Sequence, residues 1–100
     1  MPGTADGRHE DTPTLRVYVA QHCPFCREAL CIAEKMRRRF SRVSVQVIDL
    51  QAERARNVDG VFSVPTYVLD GRTVSLGNPE VELLEQKLMD AISAVGKENE

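Results

Sequence analysis

The sequence predicts a single α/β domain, a four-stranded mixed sheet with helices on both faces. Three observations lead there. Two short runs rich in β-formers, residues 15–20 and 43–50, bracket a stretch with helical periodicity, and a strand–helix–strand unit of that length implies parallel pairing through a right-handed crossover. Asp70-Gly71 stands between two β-like segments, 66–69 and 72–75, and is the best hairpin signal in the chain. Asn78-Pro79-Glu80 has the order of cap, first position and acidic first turn that opens a helix. The predicted order is β-α-β-α-β-β-α.

Residues 1–13 are rich in Pro, Gly, Thr and charge, with no apolar residue larger than Ala after Met1. They are expected to form a disordered tail ending at Pro13, with residues 97–100 as a second tail and 14–96 as the domain. Leu15-Arg16-Val17-Tyr18-Val19-Ala20 reads as an interior strand. Pro24 suits a first helical position, because its missing N–H has no helical partner to lose. From there Phe25, Ala29, Ile32, Ala33, Met36 and Phe40 fall on one stripe, the expected core face, with Arg27, Glu28, Cys31, Glu34, Lys35 and Arg38 opposite. Val43, Val45 and Val47 alternate with Ser44 and Gln46 before Ile48 and Leu50, a second strand. Residues 51–58 are polar with good helix formers and predict a short helix. Val81, Leu84, Leu88, Ala91, Ile92 and Val95 form the stripe of the last helix, with Gly96 as its expected stop.

One hundred residues suit one modest core. A net charge of −2 gives no overall attraction to nucleic acid or to a membrane surface, so neither is expected as a partner. The cluster Arg37-Arg38-Arg39 with Arg42 lies at the end of the first helix, where it complements the helix dipole. No apolar stretch approaches the ~20 residues of a membrane span. Residues 1–14 lack a signal-peptide core, so a cytoplasmic protein is expected. Three cysteines, only two of them at a motif spacing, fit a reducing compartment with one redox-active pair better than a secreted disulfide framework.

His22-Cys23-Pro24-Phe25-Cys26 joins the first strand to the first helix. A helix N-terminus carries a partial positive charge and unpaired N–H groups. A sulfur there is stabilised as the thiolate that attacks disulfides. Cys23, nearer solvent, is the expected nucleophile, and Cys26, three residues on, the resolving thiol. A four-ligand metal site would need a second pair, which His22 and Cys31 supply poorly, and Arg27 after Cys26 removes the haem-attachment pattern. A protonated His22 would favour the Cys23 thiolate further; an exposed loop histidine without effect is the other reading. Cys31 is expected to be a partly exposed thiol outside the site.

Cys23-Pro24-Phe25-Cys26 and Ser63-Val64-Pro65-Thr66 carry a resemblance, over about residues 15–96, to the thioredoxin superfamily in its small glutaredoxin-like form. The resemblance implies a thioredoxin-like fold with Pro65 as a cis proline beside the cysteine pair and Val64 as the residue that docks a peptide or glutathione. Leu76-Gly77-Asn78-Pro79-Glu80 resembles the hydrophobic-Gly-Gly-x-Asp segment that holds glutathione in glutaredoxins, with Asn78 for the second Gly and Glu80 for the Asp. The lysine many glutaredoxins carry three residues before the first Cys is Ala20 here. The buried carboxylate of thioredoxins corresponds to Val17, and His22 stands where they have Trp. The implied activity is thiol–disulfide exchange in electron transport, by a monomer with catalytic Cys23 and Cys26. His22, Phe25, Val64, Pro65, Gly77 and Asn78 would contact the substrate, a disulfide-containing protein. No cofactor would be bound; glutathione as co-substrate, or a thioredoxin-reductase-like flavoprotein, would supply electrons. Residues 15–20, 47–50 and 65–66 are also similar to the KaiB clock-protein family, which acts through protein contacts and lacks the cysteine pair. A non-catalytic module of that kind, or a thiol sensor or metal carrier, is the alternative.

Overall fold

The computed structural model describes residues 12–98. Its elements are β1 (Thr14–Val19), α1 (Cys26–Arg39), β2 (Ser44–Asp49), a 3-10 turn (Arg54–Arg56), β3 (Thr66–Leu69), β4 (Arg72–Leu76) and α2 (Val81–Glu98). The sheet runs β2-β1-β3-β4, with β1 parallel to β2 and antiparallel to β3, and β3 antiparallel to β4. The mixed four-stranded α/β architecture is the expected one.

Period-two alternation in β1 sends Leu15, Val17 and Val19 to one face and Tyr18 to the other. On the first face they pack with Tyr67 and Leu69 against Ala29, Ile32, Ala33 and Met36 of α1 and Leu84 and Leu88 of α2. Val81, Ala91 and Ile92 of α2 pack on the same cluster. On the second face Tyr18, Ile48 and Val68 meet Leu50, Val61 and Val64. Both helices therefore cover one face, and a loop covers the other, where a helix was expected.

The reason lies after β2. Asp49 Oδ1 accepts the N–H groups of Gln51 and Ala52 at 2.8 and 3.1 Å, and Glu53 Oε1 accepts the N–H of Asp49 at 3.4 Å. These are the bonds of a helix start, but only one 3-10 turn follows. Arg56 and Asn57 donate to the carbonyls three residues back, Glu53 and Arg54, and the Asn57 side chain then brackets Val61 by accepting its N–H and donating to its carbonyl. An asparagine that satisfies backbone groups locally competes with helix continuation.

The hairpin forms as its sequence requires. Asp70 and Gly71 have φ of 51° and 84°, the left-handed pair of a type I′ turn. The N–H of Thr14 donates to Asp70 Oδ1, and that of Asp70 to the Thr14 carbonyl, both at 2.9 Å, lacing the tip to the start of β1.

Several boundaries differ from the expected ones. Pro24 precedes α1 within a turn closed by Cys26 N–H to Cys23 carbonyl at 3.1 Å, so the helix opens at Cys26 with Phe25 as its N-cap. Phe25 is not a core residue: it is 65% exposed. α2 opens at Val81 with Leu84 N–H donating to Glu80, and Asn78 does not cap it. The helix runs past Gly96 to Glu98, into the expected C-terminal tail. A glycine ends a helix only where the chain turns left-handed. The remaining tail positions, 1–11 and 99–100, and the side chain of Val95 lie outside what is described. Pro13 already belongs to the fold, accepting the Ser44 N–H at 2.8 Å. No helix among the described residues is long and apolar enough to cross a membrane.

Candidate functional site

The end of β1, the start of α1 and the approach to β3 meet at the two thiols. Cys26 is the first residue of α1 and is buried against the core; Cys23, in the preceding turn, is half-buried; both are free thiols. Burial pushes the Cys26 thiol up to about 11, and its neighbour Cys23 pushes the same way, while the Ala20 N–H, donating to the sulfur, partly offsets them. The Cys23 thiol points at the Val64 carbonyl, with an S···O distance of 3.9 Å. Residues 41 apart in sequence are thus in contact.

The Val64–Pro65 peptide bond is cis. The Thr66 hydroxyl donates to the Ser63 carbonyl at 2.7 Å, closing the turn around it. On the other side of Pro65, its carbonyl accepts the N–H of Gly77 at 2.7 Å, where φ of 91° calls for glycine. The Asn78 side chain accepts from the Tyr67 hydroxyl and donates to the Phe25 carbonyl, each at 2.9 Å. The predicted residues Cys23, Cys26, Phe25, Val64, Pro65, Gly77 and Asn78 therefore form one neighbourhood. His22 is exposed at its edge, Cys31 is exposed on the solvent side of α1, and Val17 is core.

A groove of about 820 Å³ opens beside the thiols, between α1 and the end of β2. Its walls include His22, Cys23, Cys26, Arg27, Asp49 and Glu53. The last three did not emerge from the sequence as site residues. The available signal was an apolar strand ending in Asp49 with Glu53 four residues on, a helix-start pattern at the C-terminal end of a strand that runs parallel to β1. The Gln51 side chain, accepting the Gln21 N–H at 3.2 Å, ties this segment to the turn before Cys23.

A second polar cluster anchors the loop leading to Val64. The buried Tyr18 hydroxyl donates to Asp59 Oδ2 at 2.6 Å, and Arg16 lies 3.5 Å from the same oxygen. Burial, then the Asp59 carboxylate, pushes the Tyr18 hydroxyl up to about 12. Among the described residues no three His, Cys, Asp or Glu side chains are grouped to hold a metal ion.

No protein-family model and no curated protein matches the sequence. Solved structures do match in shape. A single-site mutant of thioredoxin from Halobacterium salinarum superposes with a TM-score of 0.68 at 23% identity, over 88% of this chain and 82% of that one. Fasciola hepatica thioredoxin superposes with a TM-score of 0.66 at 23% identity, over 88% of this chain and 90% of its own. The order of the elements, the paired thiols at the mouth of α1 and these superpositions agree: the chain has the fold of the thioredoxin superfamily.

Proposed function

We propose that the protein is a glutaredoxin- or thioredoxin-like thiol–disulfide oxidoreductase. The observation that carries this is the asymmetry of the pair: an accessible Cys23 thiol facing the Val64 carbonyl, backed by a buried Cys26. The Cys23 sulfur, as thiolate, attacks one sulfur of a substrate disulfide. The other substrate sulfur leaves as a thiolate and takes up a proton. Cys26 then loses its proton and attacks the Cys23 sulfur, expelling the second substrate thiolate and leaving a Cys23–Cys26 disulfide. The substrate gains two electrons and the pair loses two. Two glutathione molecules, oxidised to their disulfide, or a flavoprotein reductase would restore the dithiol, so no bound cofactor is required. One motif-spaced pair among three cysteines suits a reducing compartment such as the cytoplasm.

In this reading the backbone of Val64 pairs with an extended substrate strand, Pro65, Phe25 and Gly77 shape the rim, and His22 flanks the attacking sulfur. The monomer would act on a disulfide-containing protein. The test is reduction of a protein disulfide coupled to glutathione and, separately, to a flavoprotein reductase. Cys23→Ser should abolish turnover, and Cys26→Ser should accumulate a mixed disulfide detectable by mass. Turnover that survives Cys23→Ser would sink the proposal; a folded protein inert with every reductant would favour a non-catalytic interaction module of the KaiB kind.

A further inference from the structure

We infer that Asn78 is a positioning residue that clasps the dithiol turn, and that it is not a ligand contact. This rests on the exchange reading above and assigns a side chain its part in it. The Asn78 amide is held at both ends within the molecule, Oδ1 by the Tyr67 hydroxyl and one N–H of Nδ2 by the Phe25 carbonyl, at 2.9 Å each, so its orientation is fixed before any ligand arrives. Neither partner is incidental. Phe25 lies between the two cysteines and is the N-cap of α1, with no side-chain bond of its own to brace that end. Its carbonyl accepts the first helical N–H, from Ala29 at 3.2 Å, and the Asn78 amide, so both lone pairs are filled. Tyr67 is wholly buried on β3, two residues beyond Pro65.

The result is a bridge from a rigid core strand, through the connection between β4 and α2, to a turn 53 residues away in sequence. The adjacent Gly77 N–H holds the same connection to the Pro65 carbonyl at 2.7 Å. One short segment therefore fixes the turn carrying both sulfurs and the proline beside them. A turn held in place keeps its two sulfurs at high effective concentration, which favours the internal disulfide over mixed disulfides with glutathione. Without the clasp, more of the ordering entropy falls on disulfide formation itself.

The experiment is the thiol–disulfide equilibrium of the Cys23–Cys26 pair in glutathione buffer, read by thiol alkylation and mass. Asn78→Ala should lower the equilibrium constant for the internal disulfide about fivefold, the weight of one net hydrogen bond. Tyr67→Phe keeps the ring in the core and removes only the bond that orients Asn78, so it should shift the equilibrium the same way by less. Because Tyr67 acts through Asn78, the double variant should match Asn78→Ala alone. In glutathione-dependent turnover, Asn78→Ala should leave KM for glutathione unchanged. An equilibrium unaltered in both single variants overturns the clasp, even if unfolding shifts, and so does a raised KM with the equilibrium intact. If Asn78→Ala fails to fold, Tyr67→Phe decides. A wild-type pair that never oxidises removes the exchange reading and this inference with it; a pair that oxidises normally but ignores both substitutions removes the inference alone.

Discussion

Burial acts on the titration of the Cys26 thiol, and pH exposes the consequence for stability. Cys26 is 4% exposed, and its thiol is pushed up to about 11 from an ordinary 9.0, first by desolvation and then by the neighbouring Cys23. The unfolded chain therefore releases this proton before the folded one does. Stability linked to Cys26 is present in full below pH 9, is lost progressively between about 9 and 11, and is flat beyond. Denaturant unfolding of the reduced protein across that window should show the decline, and Cys26→Ala should make it shallower; an equal decline in both would mean that the thiol is not desolvated. Tyr18, raised from 10.0 to about 12, adds a second decline at higher pH with the same sign. The spacing of the cysteines made this pair legible in the sequence, because two thiols and a helix start are local features. The role of Asn78 was not legible. Asn-Pro-Glu reads locally as a cap, while the groups that capture its side chain come from Tyr67 and from Phe25, 53 residues away.

Elements whose local residue pattern agrees with their tertiary partners came out nearly as read: β1, the α1 stripe from Ala29 to Phe40, the hairpin and the α2 stripe. The segment after β2 did not, because good helix formers set only a weak preference, and Asn57 binds both backbone groups of Val61 in place of a continuing helix. What holds this loop on the sheet is Asp59, whose side chain is only 11% exposed, bonded to Tyr18 and near Arg16. Asp59→Ala would leave the Tyr18 hydroxyl buried without its partner. The expected loss of stability is about 2 kcal/mol, measured by urea unfolding near neutral pH. A loss below about 0.5 kcal/mol, the range of an ordinary surface change, would mean that the loop does not depend on this bond. The same variant should quicken amide exchange in residues 57–64, where the anchor is lost, more than in α1.

At the scale of the whole molecule, both helices on one face leave the other to a loop, and large apolar side chains remain in water beside the Val64–Pro65 segment. Phe62 is 95% exposed and lies two residues before Val64; Leu76 is 76% exposed and pairs with Thr66, next to Pro65. Side chains so open contribute little to folding, since they bury almost no area. With a net charge of −2, attraction to a partner does not come from the overall field either. Apolar contact at the rim is what remains to distinguish a folded disulfide substrate, which presents a surface, from a small disulfide, which does not. Phe62→Ala and Leu76→Ala should leave the unfolding midpoint and the reduction of glutathione disulfide as they are. Each should slow reduction of a protein disulfide about fivefold, the scale of a moderate interface residue. Equal slowing on both substrates would place these side chains in the chemistry of the pair itself, and no slowing on either would leave the exposed patch without a part in substrate capture. A selective loss would mean that the face without a helix is where protein substrates are held while Cys23 attacks.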